Sequence, residues 1–236
     1  MDKFNDGLQG PNEDGLPRKI HAKFSEVDSD FWENLRKRNA RRTHGVVSSF
    51  KVDKALMYRT REERDLLRLL EVDANVESID VYPEKVAFVV AGTTREHVPA
   101  FRIRRGNQTA VIDAMQAGEE NSRARQRLNA VMKRLYEERG IVYHAVSRRD
   151  VRKEPRRTNA MHVLSHAGDE TPPGDQLLVT EALSRRSPLT VAELEKMVDR
   201  PYLRSTIFNM ALKRRLVLDL DARSTDLIRV SLRRDA

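Results

Sequence analysis

Residues 45–84 read GVVSSFKVDKALMYRTREERDLLRLLEVDANVESIDVYPE, and this stretch decides the fold. Thr60 and Glu63 stand at capping-box spacing, and Leu66, Leu67, Leu69 and Leu70 supply an apolar face. That spacing predicts a helix from Thr60 to Val72. Apolar runs then predict strands over Val76–Tyr82, Lys85–Val90, His97–Arg104 and Gln108–Met115. Gly92-Thr93-Thr94 and Gly106-Asn107 punctuate them as hairpin-type turns. Ser122–Arg139 predicts a second helix with Leu128, Val131, Met132 and Leu135 on one face. Gly140 stops it, and Ile141–Val146 is a further strand. Helix, three or four mainly antiparallel strands, helix and strand make an α/β core over residues 45–150 or so.

On the N-terminal side, residues 1–30 hold Gly, Pro, Asn and Asp without an apolar period and read as a tail or extended arm. Asp30–Leu35 opens a short helix running into Arg36, Lys37, Arg38, Arg41 and Arg42, with the only tryptophan, Trp32, as an anchor. On the C-terminal side, Thr171-Pro172-Pro173-Gly174 precedes short helices over Asp175–Ser184 and Thr190–Val198. A third helix is opened by Asp199-Arg200-Pro201 and runs through Arg215. Strands Leu216–Leu220 and Leu227–Leu232 follow, and three helices plus a hairpin is the winged helix-turn-helix order. The expected organisation is an arm with a basic helix (1–44), an α/β domain (45–157), a linker (158–173) and a winged-helix domain (174–236).

The chain has 236 residues, with 44 Lys+Arg against 36 Asp+Glu and no cysteine. The lack of cysteine excludes disulfides, thiolate zinc sites and a cysteine nucleophile. No apolar run approaches the ~18–20 residues of a membrane span, and the N-terminal residues do not read as a secretory signal, so a cytoplasmic protein is expected. Residues 33–64 carry 10 basic and 4 acidic side chains, and residues 121–157 carry 12 and 4. Such blocks attract phosphate backbones through counterion release. They also suit a solvated arginine-rich helix surface. His162 and His166, at i,i+4 spacing without the Glu of a zinc-protease motif, read as surface or packing residues.

The Gly45-to-Lys51 entry, the Glu62-Glu63-Arg64-Asp65 helix ending in Leu70-Glu71-Val72-Asp73, the Val76-Glu77-Ser78 turn and Pro83-Glu84 occur together in order and spacing. Together they resemble the N-terminal domain of TnsA-like transposon endonucleases. The resemblance implies a restriction-endonuclease-like mixed-sheet core followed by a winged helix. It also implies metal-dependent phosphodiester cleavage by carboxylates and a lysine. Carried over, the helix Glu falls on Glu63, the Pro-Asp pair on Pro99-Ala100, and the final triplet on Asp113-Ala114-Met115. Glu63 and Asp113 survive as vestigial ligands, while a methyl and a thioether replace the central carboxylate and the lysine. Glu63 also serves as a helix-capping residue, and Lys85 is the candidate for a relocated lysine.

The resulting expectation is a protein that binds double-stranded DNA on a nuclease-like scaffold with lost or impaired catalysis. It would act in transcriptional control, DNA architecture or recruitment. Expected DNA contacts are Arg36, Lys37, Arg38, Arg41 and Arg42 in the first basic block, and Arg125, Arg127, Lys133 and Arg134 in the second. In the winged helix they are Arg204, Ser205, Asn209 and Lys213 on the recognition helix and Arg223 and Arg229 on the wing. No cofactor is expected on this reading. One alternative is a magnesium-dependent endonuclease of a transposition-type machine with a rearranged site. Another is an adaptor docking an ATPase regulator or transposase-like protein, and a homodimer is compatible with each.

Overall fold

The computed structural model describes residues 16–17, 20–37, 44–90 and 92–233. The chain is a mixed α/β protein. It opens with β1 (Ala22–Ser25), α1 (Ser29–Arg36) and the hairpin β2 (Gly45–Ser48)–β3 (Ala55–Tyr58). Then come α2 (Arg61–Val72), β4 (Ser78–Val81), β5 (Lys85–Val90), β6 (Thr93–His97), β7 (Phe101–Arg105) and β8 (Gln108–Ala114). Next are α3 (Arg123–Glu137), β9 (Val142–Val146), α4 (Arg148–Val151) and α5 (Arg156–Ser165). The C-terminal part holds α6 (Pro173–Arg185), β10 (Leu189–Thr190), α7 (Val191–Val198), α8 (Leu203–Leu212), β11 (Leu216–Leu218) and β12 (Arg229–Leu232).

The central sheet has the order β4-β7-β8-β9, antiparallel except for the parallel pair β8/β9, which α3 connects. A second sheet, β1-β5-β6, is antiparallel throughout. Alternation along β8 sets the two faces of the central sheet. Ile112 packs with Leu66, Leu67 and Leu70 of α2, whereas Val111 packs with Val131, Met132 and Leu135 of α3. The sheet therefore lies between two helices, with Asp113 on the α3 side. No helix among the described residues is long and apolar enough to cross a membrane.

The structure corrects several expectations. Leu16 and Ile20 are buried and β1 pairs with β5, so this part of the expected tail is structural; the rest of that tail lies largely outside the described residues. Thr93 and Thr94, read as a turn, begin strand β6. The expected linker contains α5, which buries Asn159, Ala160 and Val163. Asn159 Nδ2 donates to the carbonyls of Leu220 (2.9 Å) and Ala222 (2.7 Å), tying α5 to the C-terminal sheet.

The motif residues of 45–84 meet at the C-terminal end of α2. Lys51 Nζ donates to the carbonyls of Asp73 and Val76, both at 2.8 Å, and Phe50 N donates to Glu71 Oε2 at 3.0 Å. From the other half of the chain, Arg214 donates to Ala74 O and to Glu77 (2.9 Å), with Arg233 3.5 Å from Glu77. Val72 belongs to the C-terminal core cluster. Burial lowers the Lys51 ammonium to about 8 against the pull of Glu71 and Asp73.

Lys51→Met removes two charge-assisted hydrogen bonds and leaves the Val76 carbonyl without this donor, and should destabilise the chain by about 2–4 kcal/mol in urea unfolding. Because the folded pKa lies below the unfolded one, the unfolded chain binds more protons between pH 8 and about 10.5. Wild-type stability therefore gains from Lys51 as pH rises through that window. The deficit of the variant should widen there.

Candidate nucleic-acid interface and adjoining cleft

Helix α2 is amphipathic in an unusual way, burying Glu62, Glu63, Asp65 and Glu71 along with its leucines. Buried carboxylates require paired cations, since an unpartnered one costs several kcal/mol. Asp65, 3 % exposed, is ringed by Arg64 (2.8 Å), Arg152 (3.3 Å), Arg157 (3.6 Å) and Arg68 (3.9 Å). Glu62 takes Arg148 and Arg152, both at 3.6 Å. Desolvation, with repulsion from Arg64 and Arg157, lowers the pKa of Arg68 against the pull of Asp65. On the same elements, Arg149 of α4, Lys153 of the turn and Arg156 of α5 are exposed. The face formed by α2, α4 and α5 is thus cationic and built on acidic anchors.

Beside it a cleft of roughly 490 Å³ is lined by Arg59, Arg61, Glu63, His97, Asp113 and Arg125, among others. Thr60 Oγ1 accepts from Glu63 N at 3.0 Å, which is the expected cap. The Glu63 carboxylate does not return to Thr60. Its Oε1 accepts from Arg59 Nε (3.0 Å) and Nη2 (2.9 Å), and its Oε2 accepts from Arg59 N and the Tyr82 hydroxyl (2.8 Å). Phe31 and Trp32 of α1 pack on Tyr82, with ring centroids at 5.2 and 5.9 Å, so Trp32 anchors α1 over this centre.

Asp113, also 3 % exposed, is held from four sides. Oδ1 accepts from Ala100 N at 2.9 Å. Oδ2 accepts from His97 Nε2 (2.6 Å) and Tyr143 OH (2.7 Å), with Arg125 Nη2 at 3.3 Å. Burial pushes its carboxyl up, but His97, Arg125 and Tyr143 outweigh this and hold it well below the usual range. Asp113 is therefore ionised and Nε2 of His97 carries the proton. Ala100 is 1 % exposed, and Met115 is 9 % exposed with its sulfur accepting from Asn129 at 3.4 Å; both are core residues. Among the described residues no group of three His, Asp or Glu is placed to hold a metal ion. A divalent cation at Glu63 and Asp113 would have to displace Arg59, His97 and Arg125, so the residues do not fit the metal that a nuclease centre requires. Lys85 pairs with Asp28 (2.6 Å) and does not line the cleft.

The structure separates the expected DNA contacts into different groups. Arg38, Arg41 and Arg42 lie outside the described residues, as does the side chain of Arg36; Lys37 is exposed, 4.0 Å from Glu33. Arg127 and Lys133 are exposed on α3. Arg125 corrects its expectation, because it turns inward to Asp113 and is only 13 % exposed. Arg134 is drawn to Pro17 O (2.6 Å) and Glu138 (3.5 Å).

In the C-terminal part, Lys213, Arg223 and Arg229 are exposed, but Ser205 and Asn209 are buried. Asn209 Nδ2 donates to His166 O (2.6 Å) and Ser205 O (3.0 Å), and Ser205 Oγ bonds His166 Nδ1 at 2.9 Å. Arg204 is clamped by Glu195 (2.7 Å) and Asp226 (2.6 Å). The face of α8 read as free is covered: Ser205 and Asn209 point inward, and Arg204, part-exposed, is engaged by acidic neighbours. The signal was present in the sequence: Phe208 and Leu212 share that face with Ser205 and Asn209, three to seven residues on. His97, Arg148, Arg149, Arg152, Lys153, Arg156 and Arg157 were not singled out, although the last six lie inside the second basic block. No protein-family model matches the chain, and no curated protein matches it in sequence.

Asp113→Asn should cost about 3–5 kcal/mol at pH 7, because it leaves the largely buried Arg125 guanidinium without its counter-charge. A carboxyl with a depressed folded pKa stabilises above its unfolded pKa and loses that effect as pH falls below about 4. The deficit relative to wild type, followed by urea unfolding, should therefore shrink under acid conditions.

Proposed function

We propose that this chain is a DNA-binding protein on a TnsA-like, restriction-endonuclease-like scaffold with a C-terminal winged helix. Its cleavage chemistry is lost, and it serves transcriptional control, DNA architecture or recruitment. The observation that carries the reading is the cationic face of α2, α4 and α5, where arginines ring Asp65 and Glu62 and leave Arg149, Lys153 and Arg156 facing solvent. Guanidinium groups held in place by buried anchors lose less entropy on meeting phosphates than free side chains do. The α2-on-mixed-sheet arrangement and the order α6, β10, α7, α8, β11, β12 support the two fold assignments. The loss of cleavage is supported by Arg59 on Glu63 and by His97 and Arg125 on Asp113, with Ala100 and Met115 in the core.

A second reading, the adaptor that docks a protein partner, is favoured by one observation. Helix α8 offers no open face, while Leu177, Met197, Tyr202 and Leu227 of the same region are exposed. On this reading the C-terminal part docks protein while the arginine face holds DNA.

A mobility-shift series with duplex DNA in magnesium, from low to high salt, tests both aspects. Binding should weaken steeply with salt. Arg149→Gln, Lys153→Gln and Arg156→Gln together should flatten the log–log slope by roughly 0.9 for every phosphate no longer neutralised. The same treatment of Arg127 and Lys133 should matter less. An unchanged slope in the triple variant would sink the assignment of this face. Supercoiled plasmid should stay intact in Mg²⁺ or Mn²⁺, and nicking that disappears in a folded Glu63→Ala variant would restore the nuclease reading.

A further inference from the structure

The cleft beside the arginine face has an imbalance of hydrogen-bonding capacity. Glu63 has donors on all four of its acceptor positions. Asp113 receives three donors and, as a fourth partner, the Arg125 guanidinium, and Glu62 Oε1 lies 3.6 Å from both Arg148 and Arg152. Glu119 Oε2 is engaged by Gln116 N at 2.9 Å. The donors are in the opposite condition. Arg125 Nε and Nη2 are buried without a hydrogen-bonded acceptor, since the approach of Nη2 to Asp113 at 3.3 Å does not satisfy one. These two nitrogens form the side-on fork that guanidinium groups use for bidentate binding of oxyanions. Arg61, exposed in the first turn of α2, and the side-chain amide of Gln116 line the same cleft and make no hydrogen bond or ion pair among the described residues.

We infer that this cleft is an oxyanion site, one that takes a phosphate group between Arg125, Arg61 and the Gln116 amide. A buried donor without an acceptor is costly, and a ligand rich in acceptors relieves it. A cation, by contrast, would meet Arg59, His97 and Arg125 already in place on Glu63 and Asp113. A tetrahedral phosphate presents acceptors in several directions at once, which suits donors arriving from α2, from α3 and from the chain following β8. A free or terminal phosphate and a phosphodiester of a nucleic acid backbone share this chemistry of recognition. The inference stands on the cleft alone and does not require the arginine face to bind DNA.

The test follows the Arg125 Nε–H resonance in the ¹⁵N NMR spectrum of the full chain. The titrants are inorganic phosphate, a 5′-phosphorylated thymidine trinucleotide and the same trinucleotide without its terminal phosphate, each against sodium chloride of equal ionic strength. A saturable shift beyond the chloride control is expected. A response to inorganic phosphate and the phosphorylated trinucleotide alone assigns a free or terminal phosphate, and a response to both trinucleotides assigns the backbone. Arg61→Gln, at an exposed position that leaves the fold intact, should weaken the response about tenfold, the scale of one charge-assisted hydrogen bond. Absence of a saturable shift with every probe would overturn the inference. So would Mn²⁺ broadening centred on Glu63 and Asp113 with phosphate inert. Loss of DNA binding in the α4–α5 triple variant with the phosphate response intact would separate this site from the DNA face.

Discussion

Six carboxylates are buried among the described residues, and four of them, Glu62, Glu63, Asp65 and Glu71, lie on the single helix α2. Taking a carboxylate out of water costs several kcal/mol unless cations and donors meet it, so these four dictate what must surround the helix. Arg59 arrives from the end of β3, Arg148 and Arg152 from α4 and the residue after it, and Arg157 from α5. At the far end Ser49, Phe50 and Lys51 close over Glu71 and the carbonyls of Asp73 and Val76 just past the helix. Helix α2 thereby fixes the hairpin, the central sheet and the first C-terminal helices at once. Stripping one of these carboxylates of its partners leaves a buried charge rather than a small gap.

The same constraint explains why the cleft does not resemble a nuclease centre. A metal site needs carboxylates with free lone pairs and a basic group held back from them. Here the basic groups are in direct contact with the carboxylates, Arg59 on Glu63 and His97 with Arg125 on Asp113. The interactions that stabilise the fold are those that occupy the ligand positions. Ala100 and Met115 belong to the same packed interior, where the Ala100 amide donates to Asp113 and the Met115 thioether lies in the core.

The joint between the two halves follows from the C-terminal end of α2. Glu77 draws Arg214 and Arg233 across it, and Val72 enters the C-terminal core. Helix α5 then lies against both α2 and α8. Because α8 is enclosed on both sides, its polar residues serve the joint: Asn209 and Ser205 bind His166 rather than facing outward. The polar side chains of this helix are in internal use, while the cations Arg223 and Arg229 are exposed at the β11–β12 hairpin.

The sequence by itself determined the α/β order, the helix cap at Thr60, and most strands of the central sheet. Each of these rests on local spacing, whether the 3.6-residue period, the two-residue alternation or a capping side chain three residues from its target. It also located both basic blocks, since charge is read directly from composition. Only the tertiary structure decided which arginines are free. Arg125 and Arg127 are two residues apart on one helix, yet one is buried against Asp113 from β8 and the other faces solvent. The fate of Ser205 and Asn209 depended on α5, a helix whose weak amphipathic pattern hid it in an expected linker. Long-range pairing of charges, and the covering of one helix by another distant in sequence, leave no local period to read.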